Sequence, residues 1–258
     1  RGAVSIPALE ELIDDRGKLI SVTHIPTNGG LVNPAAEIGR VARQAGIPFL
    51  LDSCQTVGQM PVDVQEIGCD ILTATGRKYL RGPRGTGFLY VSGAMLDSLE
   101  PPMIDHHAAD WVAADRYQLR PDARRFENWE NNVAGLLGLG AAIDYTLELG
   151  QQAIWERIRD LAGELRASLS SLDGVTVQDL GHEKCGIVTF DIAGADHMAL
   201  KTALRAENIN ITVSDRSSTR LDMEERGFEN LVRASVHCYN TSEEVSRFCA
   251  AIDRLRSA

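Results

Sequence analysis

Four short apolar runs, each closed by a turn-forming or polar residue, constrain this chain more than any other feature of its sequence. They span residues 19–23, 48–51, 70–74 and 85–91. Between the first two, residues 35–45 place Ala36, Ile38, Val41 and Ala42 at helical spacing and stop at Gly46, the pattern of a one-sided helix with a glycine end. Short apolar runs separated by helices predict a mainly parallel sheet covered on both faces. Ligands of such sheets bind at the carboxyl ends of the strands, so polar residues just beyond a run are the first places to look for a site.

From Gln151 the pattern changes. Ile154, Ile158, Leu161, Leu165, Leu169 and Leu172 step by three and four along one helical stripe. Strands are predicted over 175–177, 186–192, 209–213 and 231–236, with helices over about 196–206 and 242–255. The last helix opens on Thr241-Ser242-Glu243-Glu244, which matches a capping box. This half reads as a smaller α+β unit, giving expected domains of 1–149 and 150–258. Residues 92–128, with Pro101, Pro102, His106 and His107, read as a long irregular interlude, usual for functional or interface loops. The Gly/Ala-rich helix predicted over 133–149 suits close packing. A helix predicted over 6–15 runs straight into a buried strand with no initiating methionine. We therefore expect a further N-terminal segment in the protein.

Composition excludes some functions. The formal net charge of -10 disfavours a nucleic-acid partner, which needs a basic patch for phosphates. No apolar run approaches a membrane span, and the expected location is the cytoplasm, with no membrane partner. The five cysteines, Cys54, Cys69, Cys185, Cys238 and Cys249, form neither a CxxC pair nor zinc-ligand spacing. They read as free thiols in a reducing compartment, and no metal site is expected.

Two stretches could carry chemistry. Asp52 directly ends an apolar run and is followed by Ser53, Cys54 and Gln55; a carboxylate there either caps the next helix or faces a ligand cation. The stretch 73–87, TATGRKYLRGPRGTG, puts adjacent Arg77 and Lys78 in a small polar turn after a buried run. Thr75, the turn amides and Arg77 would make a phosphate cradle. The glycines do not form GxxxxGK[ST], which argues against a nucleotide triphosphatase.

LLDSCQ paired with ATGRKYLRGPRGTGFLYV resembles the class V aminotransferase family, fold type I enzymes that use pyridoxal 5'-phosphate (PLP). The family includes cysteine desulfurases, C–S lyases, epimerases and aminotransferases. RFENWENN is similar to its dimer-contact segment and LVRASVHCYNTSEEV to its C-terminal motif, so the resemblance spans essentially the whole chain. It implies a three-layer α/β PLP-dependent transferase-like fold, here partial, with a smaller C-terminal α+β domain, and a homodimer. It also implies that Lys78 holds PLP as a Schiff base and then serves as acid and base on the substrate. Asp52 would pair with the pyridinium nitrogen. Gln55, with Thr27 or Asn28, would touch the ring's 3-oxygen. Thr75 and Arg77 would hold the phosphate, and Arg233 the carboxylate of an amino-acid substrate. The implied reaction runs through an external aldimine and a quinonoid, as in an aminotransferase or C–S lyase. Alternatives are a cysteine desulfurase using Cys54 or Cys238, an epimerase, or a non-catalytic homologue. His24 remains an outside candidate; His106, His107 and His237 read as structural or interfacial.

Three departures bear on the reaction. Desulfurases place a cysteine in the loop after the strand predicted here at 209–213, where this chain has Ser217 and Ser218. The family's N-terminal phosphate-binding turn and ring-stacking aromatic do not appear before residue 19. Glu130 stands where desulfurases have a threonine that reaches the neighbouring subunit's phosphate.

Overall fold

The computed structural model describes residues 2–256. Helix α1 (Ile6–Leu12) starts on Ser5, whose hydroxyl accepts from Ala8 N. It ends short of the predicted residue 15 because Asp14 makes its own turn, accepting from Arg16 N and from the Arg16 guanidinium. The chain then forms β1 (Ile20–Thr23), α2 (Ala35–Ala45), β2 (Phe49–Asp52), α3 (Val64–Ile67), β3 (Ile71–Thr75) and β4 (Gly87–Val91). These strands make a four-stranded sheet in the order β1-β2-β3-β4. The first three are parallel, as expected, and β4 returns antiparallel beside β3.

Helix α2 buries Ile38 and Ala42 in the core formed by Phe49, Leu51 and Leu72. Its Gly39 lets backbone meet backbone, since a Cβ there would lie 1.9 Å from Ile67 O. Cover on both faces does not extend along the whole sheet. Phe88 and Leu89, neighbours on the edge strand β4 that face opposite ways, are 39% and 42% exposed.

The interlude is more ordered than its sequence suggests. It contains α4 (Gly93–Leu96) and a hairpin of β5 (Ala109–Ala113) with β6 (Arg116–Leu119). Four of five β5 residues are exposed, so no apolar alternation marks the strand. Buried Arg125 ties the segment down by donating to Arg120 O and Leu96 O.

Helix α5 (Val133–Leu149) and helix α6 (Gln151–Ser170) meet at Gly150 with a 78° bend. No single helix among the described residues is long and apolar enough to cross a membrane. Next come β7 (Val175–Val177), β8 (Ile187–Ile192), α7 (His197–Ala206), β9 (Thr212–Asp215), α8 (Arg220–Arg226), β10 (Asn230–Ser235) and α9 (Ser242–Arg256). Their strands form a second, antiparallel sheet in the order β7-β8-β10-β9. The predicted strand over 209–213 begins later, at Thr212, because Asn208 turns left-handed (φ +59°) and Ile209 N donates to Leu204 O to close α7. The capping box forms in full: Glu244 N donates to Thr241 Oγ1, and Thr241 N donates to the Glu244 carboxylate.

The second sheet packs against α6 and α9 in one core that also takes in Ile25, Val32 and Tyr79 from the first half of the chain. Gly58 governs this junction. Its φ is +88°, and a Cβ would lie 2.3 Å from Leu80 N and 2.5 Å from Tyr79 C. Gly58→Ala therefore combines left-handed strain with a backbone clash and should lose about 2–5 kcal/mol of unfolding free energy. Gly46→Ala, with φ +65° but open space around it, should lose only about 1–2 kcal/mol in the same urea titration. Equal losses would show that the close approach carries no cost.

Candidate functional site

Parallel pairing of β1, β2 and β3 aligns their carboxyl ends. Thr23 sits opposite Asp52, and Asp52 opposite Thr73, so the three turns that follow start side by side. The first turn carries His24, Thr27 and Asn28 and bends through Gly29 and Gly30, both with positive φ. The second carries Cys54 and Gln55. The third, 76–82, carries Arg77 and Lys78 and closes on itself through Gly82 N to Gly76 O (2.7 Å) and Arg81 N to Lys78 O (2.8 Å).

Side chains join the turns. Gln55 Nε2 donates to Thr27 Oγ1 at 3.2 Å. Gln59 Nε2 donates to Gln55 O, while its Oε1 accepts from Gly186 N at 3.0 Å. Asn28 Nδ2 donates to Thr219 Oγ1 at 3.2 Å, linking the first turn to the loop after β9. The second sheet brings Arg233, on β10 between Thr189 and Thr212.

Lys78 is half-buried and feels most of these groups. Burial pulls its ammonium below the ordinary lysine range; Cys54 and Asp52 oppose that shift, while Arg77 and Arg233 add to it. Burial likewise pushes the Cys54 thiol up to about 11, helped by its hydrogen bond to the Asp52 side chain. Buried His24 is lowered to about 4 by desolvation. Burial also lowers Arg233. Arg233 Nε, Asn28 Oδ1, His24 Nδ1 and Tyr79 Oη are all buried without a partner. Buried polar atoms are rarely left unpaired, and those on the turn after β1 and on β10 are open to a polar ligand.

Asp52, Arg77 and Arg233 thus each lie within electrostatic reach of Lys78. Gln55, Thr27 and Asn28 meet at the neighbouring turns. Thr75 ends β3 with only a long 3.4 Å bond to Thr86 O, and Arg77 is exposed. Sequence reading did not assign a place to Tyr79, Gln59 or Thr219, and it set His237 aside. Tyr79 directly follows Lys78, and an aromatic in so polar a turn was the one available signal. Ser217 and Ser218 both donate to Asp215 Oδ1, so they serve the geometry of their own loop.

Residues 1–248 match the family model for aminotransferase class-V. A probable cysteine desulfurase of Methanothermobacter thermautotrophicus is 36% identical over 95% of this chain and 62% of its own length. The apo structure of a cysteine desulfurase from Thermococcus onnurineus superposes with a TM-score of 0.92 at 29% identity, covering 99% of this chain and 64% of that one. The cystine C–S lyase C-DES, solved with its product cysteine persulfide, gives 0.83 at 24% identity over 97% and 64% of the two chains, a likeness of fold alone. The chain therefore spans a little over three-fifths of the length of the first curated relatives it matches.

The depressed Lys78 ammonium yields a direct test. At a given pH a lowered pKa leaves more neutral amine, which is the reactive form. Lys78 should therefore acylate at lower pH than exposed Lys18, read by peptide mass spectrometry across a pH series. Identical profiles would show that the turn does not tune this amine.

Proposed function

The chain belongs to the aminotransferase class-V family, and on that premise we propose that the protein is a PLP enzyme that cleaves the C–S bond of a sulfur-containing α-amino acid such as cysteine. The Lys78 amine, held among Asp52, Arg77 and the unpaired Arg233, is the observation that carries this reading. The names of the curated relatives support desulfuration over transamination.

The residues suit the cofactor. Asp52 offers a carboxylate to a pyridinium nitrogen, and Gln55 with Thr27 or Asn28 offers polar atoms to a ring oxygen. Thr75 and Arg77 suit a phosphate. When bound, PLP supplies the electron sink that stabilises a carbanion next to the amino-acid nitrogen. The chain supplies the rest. Lys78 would carry the cofactor, and its amine, lowered below the ordinary lysine range by burial, would move a proton at the substrate's carbon. Arg233 Nε, buried and unpaired, orients the substrate by its carboxylate. A homodimer forms part of the same proposal, supported by the exposed Leu136, Leu137 and Tyr145 of α5. Five unpaired cysteines support a cytoplasmic location.

One observation favours a second reading within this chemistry. No cysteine lies between Cys185 and Cys238, and the Cys54 thiol, pushed up to about 11, stays protonated at neutral pH. A C–S lyase, which releases sulfur without a protein thiol, needs neither.

With PLP and cysteine, full-length protein should release alanine if it is a desulfurase, or pyruvate and sulfide if it is a lyase. Trapping a protein persulfide would decide for the first. Lys78→Ala should abolish both the absorbance of the lysine-bound cofactor and turnover; retention of both would end this proposal. Arg233→Lys should raise KM by about tenfold or more, the scale of one lost charge-assisted hydrogen bond. An unchanged KM would remove Arg233 from substrate binding.

A further inference from the structure

Resting on the reading of Lys78 above, we propose that His237 is a positioning residue: through the carbonyl of Tyr79 it fixes the turn that presents the Lys78 amine to Arg233. Sequence reading had treated this histidine as structural or interfacial. It follows β10 by two residues, so the segment that delivers Arg233 also delivers His237.

The ring is buried and stacked on both sides. Tyr79 lies at 5.2 Å between centroids with an interplanar angle of 22°, and Tyr239 at 4.3 Å and 10°. Its two nitrogens face different partners. Nε2 is 3.0 Å from Tyr79 O, and Nδ1 is 2.8 Å from Cys238 N, with the Cys238 thiol at 3.2 Å. A carbonyl can only accept and a backbone N–H can only donate. Those partners assign the protons: Nε2 carries hydrogen and donates to Tyr79 O, while Nδ1 is bare. A second proton on Nδ1 would point at the Cys238 N–H. Burial and the nearby Arg81 both favour the neutral ring, with the Tyr79 bond opposing them. From α6, Arg157 binds Asn240 O in the same segment, and His237 N donates to Asn240 Oδ1.

The bond reaches across 158 residues and ends on the Tyr79–Leu80 peptide, the second peptide after Lys78 in the same turn. Tyr79 O accepts from no other group among the described hydrogen bonds, so this N–H fixes the orientation of that carbonyl. Stacking holds the Tyr79 ring, while the hydrogen bond acts on the Tyr79–Leu80 peptide plane, which packs against Gly58. The hydrogen bond and the stack therefore have separable jobs.

Substitutions can separate them. His237→Phe keeps an aromatic between Tyr79 and Tyr239 but removes the donor, and His237→Gln keeps a donor where Nε2 lies but removes the ring. Two readouts are taken: the pH midpoint of Lys78 acylation without PLP, and kcat and KM for cysteine with PLP. In His237→Phe, the loosened turn should move the Lys78 midpoint up by about half a pH unit, roughly threefold in neutral amine at a fixed pH. Its kcat should fall about tenfold with KM little changed, on the scale of one hydrogen bond acting on orientation. His237→Gln should recover most of both losses. Should His237→Phe fail to melt cooperatively, His237→Asn, whose shorter amide cannot reach Tyr79 O, takes its place. The clamp is overturned if the donor-free variant matches wild type in the Lys78 midpoint, or if the Gln variant is as impaired as the donor-free one. Because the acylation arm uses no cofactor, a midpoint that follows His237 while Lys78→Ala keeps turnover would sink the proposed function and leave the clamp standing.

Discussion

The burial of one side chain, Tyr79, is what the arrangement around Lys78 depends on. Its ring belongs to the core of the second sheet although its backbone belongs to the turn after β3. Burying an aromatic of this size contributes about 3 kcal/mol, against about 1–3 kcal/mol for the unpaired buried hydroxyl. The net gain is small, so the ring acts mainly as an anchor. It draws the first sheet's Lys78 turn against the strand that carries Arg233. Gly58 makes room for that approach from one side, and Gly186 from the other, where a Cβ would lie 2.9 Å from Tyr79 Oη.

A second anchor holds the first turn. Arg166 on α6 pairs with Asp179 at 2.7 Å, and the Asp179 side chain is fully buried. The remaining valences are filled: Asp179 Oδ1 accepts from Thr189 N and Thr189 Oγ1, and Arg166 donates to Cys185 O and Ile187 O. Such a pair is tolerable only when its hydrogen bonds are complete, and breaking it from one side costs about 3–5 kcal/mol. Gly30 sits directly on this carboxylate, where a Cβ would come within 2.4 Å. The turn bearing Thr27 and Asn28 is therefore seated on an ion pair supplied by the other half of the chain. Polar groups with complete partners hold in place polar groups without them. Rigid support beneath unsatisfied atoms is the condition for a preorganised site.

How much could be read in advance follows from the range of each interaction. The parallel strands, the stripe of α6 and the capping box at Thr241 are local patterns, and they were legible. Lys78 and Asp52 stand out as candidates because Asp52 closes an apolar run and Lys78 lies in the turn after another, at the carboxyl ends of the parallel strands. The β5–β6 hairpin was not, since its exposed residues carry no alternation. The start of β9 was hidden by Asn208, whose left-handed turn consumes two apolar residues that look like strand. Tyr79 and His237 were opaque for a different reason. Each is an ordinary aromatic in its own segment, and their meaning lies in a contact between residues 158 positions apart. Local periodicity carries no trace of such a contact.

The loop after β9 bears on the proposed sulfur chemistry. In this chain its polar atoms are engaged in holding the loop: Ser217 and Ser218 donate to Asp215, Arg216 pairs with Glu229, and Thr219 accepts from Asn28. A hydroxyl is a poor acceptor of sulfur at neutral pH, whereas a thiolate is a strong one. The thiol beside Lys78, Cys54, is kept protonated by its burial and by Asp52, the same carboxylate that the cofactor reading assigns to the ring nitrogen. Strengthening Asp52 for that role works against Cys54 as a nucleophile. On the proposed reading, one side chain would serve the ring nitrogen and at the same time hold the Cys54 thiol protonated.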